Sequence, residues 1–207
     1  AGGDIYFTGG SGGNDCWDEV VRVSGTTLEV TQKADMLSGR ECHGSVYDNN
    51  YLYVIGGSYD SKDCERLSVS EDRWEKLPPL PGDHFDEIVA VVKQTRCLYA
   101  LGGVRSYDCI MGIIQRLSLR LLEWSPMPLK LPFVAESIGC FKQSESEVCF
   151  VVDELLYRLN TLTENSITFI KPVDSITCQC GPSYFYRGYI YCSSYEGRAS
   201  RIKVGAL

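Results

Sequence analysis

One pattern returns along this chain: an alternating apolar run that ends in two glycines. It reads Asp4-Ile-Tyr-Phe-Thr-Gly9-Gly10, then Leu52-Tyr-Val-Ile-Gly56-Gly57, then Leu98-Tyr-Ala-Leu-Gly102-Gly103. The first glycines are 47 and 46 residues apart. Two weaker copies, Val148-Cys-Phe-Val-Val-Asp153 and Tyr189-Ile-Tyr-Cys-Ser193-Ser194, keep the apolar run and lose the glycines. A repeat of this length constrains the fold more than composition does, because each unit must bury its apolar faces against its neighbours.

A second phrase runs in step. Arg22-Val-Ser24, Arg66-Leu-Ser68, Arg116-Leu-Ser118, Arg158-Leu-Asn160 and Arg201-Ile-Lys203 follow at spacings of 44, 50, 42 and 43. Two copies continue to a Trp seven residues after the apolar centre, Leu67 to Trp74 and Leu117 to Trp124; Val30 holds that place after Val23. Proline turns follow at Pro78-Pro79, Pro81, Pro126 and Pro128. Another apolar stretch precedes each later doublet or its remnant: Gly44 to Tyr47, Ile88 to Val92, Ile138 to Phe141 and Tyr184 to Tyr186. Each unit therefore holds four short strands, in a period of about 45 residues that suits a propeller blade. The expectation is an all-β propeller of five units, approximately 1–37, 38–81, 82–130, 131–173 and 174–207, with 3, 4, 4, 4 and 3 strands and almost no helix. The ring either closes at five blades or belongs to a six-bladed one.

The doublet, the Trp 18 or 22 residues later, and the Arg40-x-x-His43 segment before the next doublet resemble Kelch repeats. The resemblance implies that the doublet ends the second strand of a blade, where a close backbone turn excludes side chains. It also implies that Trp74 and Trp124 are buried between blades.

Composition limits the chemistry. There are 27 acidic and 20 basic residues, a net charge of −7, and no Lys/Arg cluster. Nucleic-acid binding, which needs such a cluster to displace counterions, is not expected. The longest purely apolar stretches are about five residues, too short to cross a membrane as a helix. No signal-peptide pattern opens the chain. The ten cysteines include no C-x-x-C, and no N-x-S/T sequon is present. A reducing compartment, the cytoplasm or nucleus, is the expectation. Cys42, beside His43 and two residues after Arg40, is the one candidate for a reactive thiol.

Catalysis is not expected. With only His43 and His84 present, and no metal-spaced Cys/His cluster or hydrolase motif, neither a metal site nor a cofactor site can be drawn. A sugar-processing propeller enzyme is thus a remote alternative. His43 reads as a packing or hydrogen-bonding residue. Asp15, Asp60, Asp63, Asp86 and Glu87 read as solvated loop carboxylates.

Binding fits better. In a propeller, the loops after the doublets and the connections between blades share one face, and recognition residues concentrate on such loops. Here they offer Tyr59, Tyr107, Tyr195, His84, Phe85 and Phe133 beside Arg40, Arg105 and Arg198. Tyr and Arg suit protein recognition, so the expected partner is a protein or peptide. Arg40 either contacts that partner or braces its own loop by bonding to nearby backbone. The resemblance to BTB-Kelch proteins implies a substrate-recognition module of a cullin-RING ubiquitin ligase, with cullin bound only through a BTB domain outside this chain. A substrate pocket lined by several Arg is not matched, since Arg40 stands without a counterpart in the following units. Some Kelch proteins are instead actin or cytoskeletal scaffolds.

Overall fold

A computed structural model describes residues 3–13, 15–57, 62–81, 90–94, 96–102, 104–106, 109–110, 112–131, 139–142, 144, 146–152, 155–161, 166–172, 184–186, 189–193 and 199–203. The first sheet takes β1 (Ile5–Thr8), β4 (Val20–Val23) and β5 (Val30–Gln32), with the hairpin β2 (Ser11–Gly12) and β3 (Asp15–Cys16) inserted after β1. The second is β6 (Gly44–Asp48), β7 (Tyr51–Ile55), β8 (Cys64–Ser68) and β9 (Arg73–Leu77). The third is β10 (Ala90–Gln94), β11 (Cys97–Leu101), β14 (Ile113–Ser118) and β15 (Glu123–Lys130), with the hairpin β12 (Val104–Ser106) and β13 (Cys109–Ile110) after β11. The fourth is β16 (Gly139–Lys142), β17 (Glu147–Val152), β18 (Leu155–Asn160) and β19 (Ile167–Pro172); the fifth is β20 (Tyr184–Tyr186), β21 (Tyr189–Ser193) and β22 (Ala199–Lys203). All pairings are antiparallel, and the described residues include no helix. The five sheets hold the 3, 4, 4, 4 and 3 strands expected from the repeat. The hairpins β2–β3 and β12–β13 were not legible in it.

The second-strand runs are apolar on both sides because both faces of a blade are covered. Leu52, Val54, Leu67 and Trp74 pack with Val20 and Met36 toward the first blade. Tyr53, Ile55, Cys64 and Leu77 pack with Leu98, Ala100 and Leu117 toward the third. Tyr99, Leu101 and Ile114 then meet Val148, Phe150 and Leu159 of the fourth. Tyr6 stacks on Tyr47 across the first interface, with ring centres 5.8 Å apart. On the first sheet the face turned from the second leaves Ile5, Phe7 and Val30 more than half exposed.

The Arg-Leu-Ser phrase has three separate causes. The arginine pairs across the sheet: Arg22 with Asp4 at 2.7 Å, Arg66 with Glu75, and Arg158 with Glu147 at 3.1 Å. Arg66 and Arg201 also lie over the rings of Tyr51 and Tyr189, 4.5 and 4.7 Å from their centres. The leucines (Leu67, Leu117, Leu159) are fully buried. The serine starts the turn to the outer strand: Ser24 Oγ accepts from the amide of Thr27 and Ser118 Oγ from that of Leu121. Four residues on, Leu28, Asp72 and Leu122 each close that turn in the left-handed region, at φ 59°, 52° and 54°.

Candidate interaction face

The doublets close the necks of the loops that follow them. The amides of Gly9, Gly56 and Gly102 bond to the carbonyls of Glu19, Asp63 and Ile113, at 3.0, 3.1 and 3.0 Å. Each inter-blade connection is then tied to such a loop: the amides of Met36, Leu80 and Leu131 bond to the carbonyls of Asp18, Lys62 and Gly112, at 2.8, 2.9 and 2.8 Å. The two kinds of loop therefore share one end of the blades, held by backbone bonds rather than by side chains alone.

The first junction is the most fully tied. Gly10 donates to the carbonyl of Arg40 at 2.9 Å, and the Arg40 amide donates to the carbonyl of Trp17 at 3.0 Å. Gly9 must be glycine: its φ is 57°, and a β-carbon there would overlap the Arg40 carbonyl oxygen. Thr8 Oγ1 and His43 Nε2 lie 2.7 Å apart. Burial of the His43 ring, helped by the charge of Arg40, pushes its pKa down to about 4, so it is neutral at physiological pH. His43 thus has the packing and hydrogen-bonding environment expected of it.

Arg40 is where the structure corrects the expectation of an exposed contact residue. It is only 2% exposed. One guanidinium nitrogen donates to the carbonyls of Gly56 and Asp63, at 2.7 and 2.9 Å. The other donates to Ser38 Oγ at 2.8 Å and to Glu65 Oε1 at 2.6 Å. Glu65, also buried, takes the Leu37 amide on its second oxygen at 2.8 Å. The physical reason is the carboxylate beneath: a buried Glu at the start of β8 demands a paired cation, and Arg40 supplies it. Its role is the bracing one. Its fork locks the second doublet while its backbone holds the first loop.

Of the other expected contact residues, Tyr59, His84, Phe85, Tyr107, Phe133, Tyr195 and Arg198 lie outside the described residues. Arg105 is placed only by its backbone, in β12. Cys42 is half-buried at a left-handed φ of 53°. Burial pushes the thiols of Cys64 and Cys149 up to about 12, which keeps both protonated. Among the described residues no three His, Cys, Asp or Glu side chains form a group able to hold a metal ion.

The residue missed was Trp17. It is 48% exposed, at the end of the β2–β3 hairpin and on the loop end of the first blade. Its signal was available: unlike Trp74 and Trp124, it stands outside the strand phrase, four residues after the Gly-rich stretch Gly9 to Gly13. Leu37, 51% exposed, stands on the connection tied to that hairpin.

A model of the Kelch motif matches residues 39–81. Beta-scruin of Limulus polyphemus is 36% identical over 118 residues, 50% of this chain and 12% of that protein. Kelch-like protein 21 of Rattus norvegicus is 46% identical over 54 residues, 26% of this chain and 9% of that protein. The matched stretches are thus about a tenth of these relatives' lengths. Among solved structures, one titled "Structure of YjhT" superposes with a TM-score of 0.72 at 12% identity, covering 92% of this chain and 69% of that one. At that identity the likeness concerns the fold.

Proposed function

We propose that this chain, whose residues 39–81 match the Kelch motif and whose fold is that of a propeller, is a non-catalytic protein-interaction module, the substrate-recognition part of a BTB-Kelch adaptor of a cullin-RING ubiquitin ligase, working in the cytoplasm or nucleus. The observation that carries the interaction reading is the loop end of the first two blades. There the backbone is cross-tied and an aromatic side chain is left in solvent. A rigid loop surface loses little freedom on binding, and exposed Trp is a frequent recognition anchor. The adaptor reading draws on the resemblance to BTB-Kelch proteins, and Kelch-like proteins are among the relatives that match part of this chain. No cofactor is assigned to this role, and the cullin would be reached through a BTB domain outside these residues.

The test is affinity purification of the full-length protein from cells. A ligase adaptor brings down a cullin together with proteins whose ubiquitylation falls when the adaptor is deleted. Co-sedimentation with actin filaments and no cullin would assign the chain to a cytoskeletal scaffold instead.

A further inference from the structure

The structure assigns Trp17 and the carboxylates around it to the capture of a basic peptide segment, with an Arg or Lys of the partner seated on the indole. This rests on the interaction reading above and names its partner class. Trp17 is not a loose surface side chain. Its amide donates to the Gly10 carbonyl at 2.8 Å and its carbonyl accepts from Arg40 at 3.0 Å, so both backbone groups are fixed. The indole lies along the hairpin, and a β-carbon at Gly12 would overlap its six-membered ring. Gly10 and Gly12 therefore make a flat bed for the ring while 48% of the residue stays open. Such an anchor needs no ordering on binding.

The charge around it has one sign. From Thr8 to Val21 the chain carries Asp15, Asp18 and Glu19 and no Lys, Arg or His. Asp15, Asp18 and Glu19 are exposed, and none of the three has an ion-pair partner among the described residues. Glu41, from the connection opposite, accepts from Ser11 of the same hairpin. The one arginine here, Arg40, is buried against Glu65 and neutralises nothing at the surface. An exposed indole with unpaired carboxylates beside it in the chain attracts a cation twice, through the ring quadrupole and through the charges. An acidic peptide would meet repulsion from the same groups. Exposed Leu37, whose neighbour Met36 bonds to Asp18, adds an apolar contact for the residue beside that cation.

The experiment selects dodecapeptides from a random phage-display library on the immobilised protein and measures the synthesised winners by fluorescence anisotropy. The expected winners are net positive, with Arg or Lys next to an apolar residue. Trp17→Ala should weaken them by about tenfold or more, as for a central anchor. The double variant Asp18→Lys/Glu19→Lys keeps the indole and should weaken them at least as much, and raising salt should weaken the wild-type complex. If Trp17→Ala shifts the melting temperature, the double variant decides. Selection of net-negative peptides, failure to select any peptide, or positive peptides whose binding survives both variants would overturn the inference. The last outcome would leave the interaction reading standing. That reading falls separately if the native partner, once purified, binds the turn end of the blades at Leu28 and Leu122.

Discussion

Arg40 and Glu65 show how a residue can serve a binding surface without touching a ligand. Their pair sits at the start of β8, beside the second doublet, with side chains almost wholly buried and 2.6 Å apart. Removing one member leaves the other charged, buried and unpaired, so Arg40→Ala should cost about 3–5 kcal/mol in denaturant melts. A cost within about 0.5 kcal/mol, as for a surface arginine, would contradict the bracing role. The sequence showed Arg40 on a loop but not which way it points. The missed signal was Glu65, a carboxylate immediately before the Arg-Leu-Ser phrase on a strand buried on both faces. Gln115 stands at the same place in the third blade, buried, and donates to the Pro81 carbonyl at 2.9 Å. A polar residue at that position reaches back to the incoming connection.

His43 gives a pH test at the same scale. Its folded pKa is about 4 against an ordinary 6.5. Between these values the unfolded chain binds a proton that the folded chain does not, so the stability His43 contributes is complete above about pH 6.5 and is lost as pH falls toward 4. The loss amounts to about 2 kcal/mol after allowing for partial solvent access. In urea melts from pH 7 to pH 4, His43→Gln should lose less stability than the wild type by that margin. Parallel curves would show that His43 titrates normally in the fold.

At the scale of the strand and the blade, the repeat was legible because each position has one dominant cause. Trp74 Nε1 donates to the Ala34 carbonyl at 2.7 Å and Trp124 Nε1 to the Pro78 carbonyl at 2.8 Å, each on the connection from the preceding blade. Trp74 is buried as expected, whereas Trp124 is only partly so. The two replacements should therefore differ: Trp74→Ala about 3–5 kcal/mol, Trp124→Ala less, with calorimetric melting as the measure. Equal losses would contradict the unequal burial. The β2–β3 and β12–β13 hairpins were illegible for a physical reason. Strands of two or three residues, Ser11–Gly12 with Asp15–Cys16 and Val104–Ser106 with Cys109–Ile110, are too short to carry an apolar alternation. The setting of Trp17 was hidden with the β2–β3 hairpin, although the residue itself stood out from the strand phrase.

For the whole molecule, stacked sheets bury their apolar residues between blades and leave function to the rims. The acidic balance, −7 over 207 residues, is concentrated at the first rim beside an exposed indole, where it bears on partner choice rather than on fold. The central claim is that the loop end of the first two blades is the binding face. Hydrogen–deuterium exchange of the protein with and without its purified native partner tests it most directly. The account predicts slowed exchange in residues 11–18 and 36–42, with the opposite turns at 25–28, 70–72 and 119–122 unchanged. Protection confined to those turns, with residues 11–18 exchanging as in the free protein, would contradict it.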